Sequence, residues 1–132
     1  MASGFRLIDA ELGWTTDAHE LWDIVNVEFG HRSDWVLRAE LQFDQQRVAD
    51  LRALEVISFR VQDEGELVDY WTQLSLEGVP VGTFYQIGRS TYLAELSQGI
   101  SALAAPLTHF LVCGRDTCLE ILSRGPPKIT LR

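Results

Sequence analysis

With 132 residues, 46% of them hydrophobic and 23% charged, the chain has the size and composition of one globular domain and not of a disordered polymer. Its formal net charge of −8 is concentrated in residues 1–77, which hold 16 acidic and 6 basic residues. A chain with a net negative charge repels the phosphates of nucleic acids and of anionic membranes. The sequence contains no apolar run near the roughly 20 residues that a membrane-spanning helix needs and no visible secretory signal, so we expect a cytoplasmic protein with neither a nucleic-acid nor a membrane partner.

Strand patterns dominate the chain up to residue 61. Residues 5–12 fit a first strand, and residues 21–29 predict a short helical turn that runs into a second one. Residues 35–43 alternate most cleanly, which predicts a half-buried strand paired with the preceding one in a hairpin. Its apolar side is formed by Trp35, Leu37, Ala39, Leu41 and Phe43. Residues 44–53 predict a helical turn or a loop, and residues 54–61 predict another strand.

A well-marked helix follows in the middle of the chain. Asp63 provides an N-cap with Glu66 three residues later, and Gly78 can end the helix in a left-handed conformation. We therefore predict a helix over residues 63–77. The core-facing side of this helix, at i, i+4 and i+7, is formed by Leu67, Trp71 and Leu74.

The last third of the chain adds a strand, a helix and a hairpin. Residues 81–87 suit a strand, residues 91–103 a second helix and residues 107–123 a β-hairpin, followed by a mostly irregular tail. The leucine and isoleucine positions with helical spacing are Leu93, Leu96, Ile100 and Leu103. Together these elements predict a single α+β domain over residues 1–132. We expect a mainly antiparallel sheet of about five to seven strands with the two helices packed on one side.

The predicted closing hairpin carries the only two cysteines. If Arg115 and Asp116 form a two-residue loop, Cys113 faces Cys118 in a non-hydrogen-bonded pair with Cα atoms about 4.5 Å apart. That distance permits a disulfide, although a cytosolic compartment disfavours one. We expect ordinary thiols, and a labile disulfide, a redox pair and a metal site remain open alternatives. A zinc site lacks a second ligand pair, and His109 lies about 13 Å from Cys113 along a strand.

The same hairpin has two distinct faces. One must face the core and consists of Phe110, Val112, Leu119 and Ile121. The other consists of His109, Leu111, Cys113, Cys118, Glu120 and Leu122. No phosphate-binding loop, dinucleotide fingerprint or nucleophile elbow occurs in the chain, so we predict no catalytic residue, no cofactor and no metal ligand.

Charge and the missing catalytic motifs favour a non-enzymatic domain that binds another protein. An acidic surface attracts a basic partner and speeds the encounter. We predict a partner with a basic surface, such as a toxin that an immunity-type inhibitor neutralises. The predicted contact residues are Glu64, Glu66, Asp69, Tyr70, Gln73 and Glu77 on the helix, together with Trp14. A position in the core or at its rim is favoured for Trp14, but among Trp14, Trp22 and Trp35 it is the one that we most suspect of exposure. Two alternatives remain open: a small-molecule-binding domain or small enzyme with scattered site residues, and a self-associating structural subunit.

Overall fold

The computed structural model describes residues 4–14, 22–30, 35–43, 47–97 and 106–132, apart from the side chains of Glu64, Glu66 and Ser97. In this part of the chain there are nine strands, one 3-10 turn and two α-helices. In chain order they are β1 (Phe5–Leu7), β2 (Asp23–Gly30), β3 (Val36–Gln42), β4 (Val48–Ala53), β5 (Val56–Asp63), the 3-10 turn (Glu64–Leu67), α1 (Val68–Glu77), β6 (Phe84–Ile87), α2 (Thr91–Ser97), β7 (Thr108–Cys113), β8 (Thr117–Ser123) and β9 (Lys128–Leu131).

The described strands form two antiparallel sheets. A five-stranded sheet has the order β1-β6-β7-β8-β5, and a four-stranded sheet has the order β2-β3-β4-β9. Every pair of neighbouring strands in both sheets is antiparallel. The prediction of an α+β domain with mainly antiparallel strands is confirmed, but the strands are more numerous than expected and are divided between two sheets.

The inner faces of the two sheets share one hydrophobic core. In β3, Leu37 and Leu41 are fully buried while Arg38 is exposed, as the alternation in the sequence predicts. The five-stranded sheet contributes Phe84, Phe110, Val112, Leu119 and Ile121 to the same cluster. Because burying one such side chain contributes about 1.5–3 kcal/mol, this inter-sheet layer is the main source of stability.

The helices cover the outer face of the five-stranded sheet. Leu67 and Leu74 pack with Leu111 and Cys118 in a second apolar cluster. The helix predicted over residues 63–77 is confirmed, with its first turn wound as a 3-10 helix. The Asp63 carboxylate accepts the Gly65 N–H at 2.9 Å as the N-cap. Gly78 ends α1 with a φ of 67°.

Three sequence expectations for single segments are wrong. Residues 44–53 contain β4, and the tail contains β9, where we expected no strands. The inward residues of β4 include the small Ala49 and Ala53, and β9 is only four residues long, so the local pattern for a strand is weak in both. Trp35 precedes β3 with a φ of 51° and is 50% exposed, because this backbone conformation takes its ring out of the inward row.

Other predicted boundaries shift. The first strand is only β1, because Asp9 ends it: the Asp9 carboxylate accepts the backbone N–H groups of Thr83 and Phe84 at 2.7–3.2 Å. The helical turn expected before β2 falls partly on residues 15–21, outside the described residues. Helix α2 is described as far as Ser97, and its predicted continuation to residue 103 also lies outside.

Candidate functional site

The hairpin of β7 and β8 has the loop that the sequence predicts. The Gly114 N–H donates to the Thr117 carbonyl at 2.9 Å, which closes a two-residue loop at Arg115 and Asp116. A side chain at position 114 would bring its Cβ within 2.5 Å of the Thr117 carbonyl oxygen, so glycine is needed there. This register decides which hairpin residues face α1 and α2.

The two faces of the hairpin are also as predicted. Cys113 faces Cys118, and both are present as thiols. The Cys113 N–H donates across to the Thr83 carbonyl at 2.8 Å, as expected if the cysteine pair is not hydrogen-bonded through its backbone. Phe110 and its neighbours on the inner face join the core, whereas Leu111 and Cys118 pack beneath the helices.

Glu120 is the centre of a buried polar cluster on this outer face. Its side chain is fully buried on β8. Oε1 accepts hydrogen bonds from the Tyr70 hydroxyl at 2.7 Å and from His109 Nε2 at 2.8 Å. Oε2 accepts from Arg60 Nε at 2.5 Å and from Gln62 Nε2 at 2.9 Å. Two short hydrogen bonds to each oxygen compensate for the loss of water around the buried carboxylate.

The cluster fixes the charge states of its members. Burial by itself raises the pKa of Glu120, but hydrogen bonds from His109, Arg60 and Tyr70 outweigh it and hold the pKa at about 2. Burial and the neighbouring Glu120 raise the pKa of Tyr70 far above its usual range, so the phenol stays neutral and donates. Burial lowers the pKa of Arg60, but the Glu120 carboxylate more than offsets this and raises it.

A chain of hydrogen bonds links α2 to this carboxylate. Ser90 Oγ lies 2.6 Å from His109 Nδ1 and accepts the Leu93 N–H at 2.9 Å. Because a carboxylate only accepts, His109 Nε2 carries the proton shared with Glu120, while Nδ1 forms the second hydrogen bond of the ring with Ser90 Oγ. Arg60 also lies over the ring of Tyr92, 4.0 Å from its centroid, and the Tyr92 hydroxyl bonds to Ser58.

Serine, histidine and carboxylate in this order are also the components of a hydrolytic triad. Here His109 and Glu120 are both fully buried, and Ser90 caps the first turn of α2. Both Glu120 oxygens already accept from other residues, including the cationic Arg60. We therefore interpret the cluster as a structural one that fastens α1 and α2 to the sheet.

The sequence did not predict this cluster, although one signal for it was present. His109 and Glu120 lie on a hairpin face that also carries Leu111 and Leu122. An apolar strand face must be covered by another element, and a charged residue on a covered face needs partners. Arg60, the partner of Glu120, and Ser90, the partner of His109, are distant in sequence, so only the fold brings them to the hairpin.

The residues predicted to contact a partner occupy different environments. Trp14 occupies the core position that the sequence favours and is not an exposed contact residue: it is 4% exposed, because its ring packs edge-on against Trp22 and Phe84 at 5.0 and 5.3 Å between centroids. Tyr70 is half-buried and donates to Glu120. Glu77 is half-buried and accepts the Phe5 N–H at 3.0 Å.

The remaining predicted contact residues lie on the outside of the α1 region or beyond what the structure describes. Asp69 is exposed, and Gln73 is half-buried. The side chains of Glu64 and Glu66 lie outside the described residues, although their backbone forms the 3-10 turn that leads into α1. Of the seven predicted residues, Asp69 is therefore the clearest exposed contact candidate.

The exposed side of α1 combines acidic and apolar character. We call it the α1 surface and define it by Val68, Asp69, Thr72, Ser75 and Leu76, all of which are exposed. Val68 is 58% and Leu76 is 76% exposed. Residues 61–88 contain five acidic residues and no Lys, Arg or His, so no cation from this segment neutralises the surface.

A groove of about 540 Å³ lies beside the C-terminal end of α1. Trp71 and Leu74 of α1 form one wall, and residues 78–82 form another. Tyr85 and Cys113 of the five-stranded sheet also line the groove. We call this the α1 groove. The groove is open to solvent and lies on the same side of the sheet as the α1 surface. Two of its lining residues, Ser75 and Gly78, flank Leu76 in the sequence.

Comparisons with known proteins identify no relative for this chain. No family model, curated protein or solved structure matches it. Within the described ranges, no helix is both long and apolar enough to cross a bilayer. The same residues include no group of three or more His, Cys, Asp or Glu side chains placed to hold a metal ion.

Proposed function

We propose that this protein is a non-enzymatic binding domain that occupies a partner protein with a basic surface, as an immunity-type inhibitor occupies a toxin. The observation that carries the proposal is the α1 surface, where exposed aliphatic side chains lie beside Asp69 in a segment without a single cation. The proposal includes a cytoplasmic location, in which Cys113 and Cys118 stay reduced.

A surface that combines exposed apolar and acidic side chains is typical of a site that binds another protein. Scattered aliphatic side chains are normal on a surface, but Val68 and Leu76 lie two turns apart on the same helix face. Burying them against a partner contributes hydrophobic free energy, while the acidic charge steers a basic partner and sets its orientation. The Glu120 cluster supports this role because Tyr70 holds α1 in a fixed position on the sheet.

Photo-crosslinking from α1 tests the proposal. Thr72 is exposed in the centre of the α1 surface, so we would replace it with a photo-crosslinking amino acid and irradiate the source cells. Mass spectrometry would identify the crosslinked protein, and calorimetry would then measure its affinity for this chain. We expect a partner with a basic surface and an affinity that falls steeply with salt.

A pair of charge-reversal variants makes the test specific. Asp69→Lys should weaken binding of the purified partner by about tenfold or more, because it puts a like charge into the contact. Glu28→Lys makes the same charge change at an exposed position of β2, in the other sheet, and should have little effect. If the two variants weaken binding equally, the net charge of the molecule and not the α1 surface governs binding, and the proposal is wrong.

A further inference from the structure

We infer that the α1 groove receives an apolar anchor side chain from a basic segment of the partner, so that the recognised element is a large apolar residue flanked by lysines or arginines. This inference rests on the proposed function and specifies the chemistry of the partner. It depends on the shape of the groove, the rigidity of its walls and the charge around it.

The size and lining of the groove suit an apolar group. About 540 Å³ is within the usual range of ligand pockets, roughly 300–1,000 Å³, and holds a Trp or Phe side chain with its neighbours. Trp71, Leu74 and Val79 provide apolar surface, and Val81 at the rim is 62% exposed. Large aromatic residues seated in such pockets commonly dominate binding energy.

The wall formed by residues 78–82 is held in place before anything binds. The Tyr85 hydroxyl accepts the Gly82 N–H at 2.8 Å and donates to the Pro80 carbonyl at 3.1 Å. Gly82 also lies so close to β1 that an added Cβ would be 2.3 Å from a Leu7 methyl group. A pre-formed wall lowers the entropic cost of binding.

The charge around the groove favours cations beside the anchor. Its lining contains no charged side chain, and Asp69 and Glu77 lie on α1, the helix that forms one of its walls. The nearest cation in sequence to the lining residue Gly114 is Arg115, whose guanidinium lies 3.9 Å from the Asp23 carboxylate on the other sheet. Lysines or arginines that flank the anchor complement the α1 carboxylates, whereas a segment with only apolar residues does not.

Short synthetic peptides test the inference with the whole chain. The first carries a central Leu–Trp pair flanked by lysines, the second replaces the pair with two serines, and the third replaces the lysines with glutamates. Binding is followed through amide chemical shifts and fluorescence anisotropy. We expect the first peptide to bind at least about tenfold more tightly than the other two, with shifts at Gly78, Gly82 and Gly114.

A variant at the rim separates the apolar contribution from the charge contribution. Val81→Asp adds a negative charge but removes apolar rim surface, so the anchored peptide should bind several-fold more weakly. Leu131→Asp, at a 50% exposed position of β9, adds the same charge in the other sheet and should not weaken binding. If Val81→Asp instead strengthens binding, charge alone is recognised and the anchor is wrong.

Different results would contradict the anchor in the α1 groove and the proposed binding function of the α1 surface. If the lysine peptides bind equally with or without the Leu–Trp pair and Asp69→Lys weakens both, the α1 surface stands and the anchor is overturned. If neither lysine peptide binds up to about 1 mM, the anchor is likewise overturned. In that case the crosslinking experiment decides the proposed function independently, since it depends on the partner and not on the peptides.

Discussion

Among single residues, Glu120 joins β8 to three other elements through one side chain. One carboxylate joins Arg60 and Gln62 of β5, Tyr70 of α1 and His109 of β7. A buried ion pair adds little over a well-packed apolar pair, but removing one partner leaves the other charge uncompensated. The cluster therefore makes α1 and the sheet depend on one side chain.

Replacing Glu120 tests that dependence. Glu120→Gln should lower the free energy of unfolding by about 3 kcal/mol, because Arg60 and His109 lose the anion that they bond. Urea denaturation followed by circular dichroism measures the change. Glu95→Gln, the same substitution at an exposed position of α2, is the control and should change stability by less than about 0.5 kcal/mol.

The lowered pKa of Glu120 predicts how stability depends on pH. The pKa is about 2 in the folded protein against an ordinary 4.5, so ionised Glu120 stabilises the fold fully above pH 4.5. This contribution, on the order of 3 kcal/mol, is lost as the pH falls from 4.5 towards 2. Denaturation midpoints of the wild type should fall over that range, whereas those of Glu120→Gln should fall less. Parallel curves for the two proteins would contradict this assignment.

At the scale of helices and strands, the sequence predicted best those features that depend on residues close together in the chain. The N-cap at Asp63, the apolar face of α1 and the loop at Arg115 and Asp116 depend on residues within a few positions of each other, and all were predicted. β4 and β9 were not, since each is stabilised by partners far along the chain. The Glu120 cluster escaped prediction for the same reason.

The end of α1 provides a test at this scale. Gly78 has a φ of 67°, a conformation that costs a residue with a Cβ about 1 kcal/mol or more. Gly78→Ala should lower the free energy of unfolding by roughly that amount, although no atom lies within 4 Å of the added Cβ. Ser75→Ala in the last turn is a matched control, and an equal loss in both variants would mean that the left-handed cap is not responsible.

For the molecule as a whole, charged residues are distributed differently along the sequence and on the folded surface. The sequence has an acidic first part, but β9 and the C-terminus bring Lys128 and Arg132 onto the four-stranded sheet. Arg132 lies 2.6 Å from Asp50 and 2.9 Å from Glu40, so those acids are neutralised by residues from the other end of the chain. The 61–88 segment around α1 contains no Lys, Arg or His of its own, which concentrates the expected binding role there.

The position of Cys113 has a practical consequence. Cys113 lines the α1 groove and is half-buried, whereas Cys118 opposite is fully buried. A small alkylating reagent should therefore modify Cys113 first, and an occupant of the groove should slow that reaction. The native thiol is thus a built-in footprinting probe: the rate of mass gain at Cys113, with and without a candidate occupant, reports binding without any engineered label.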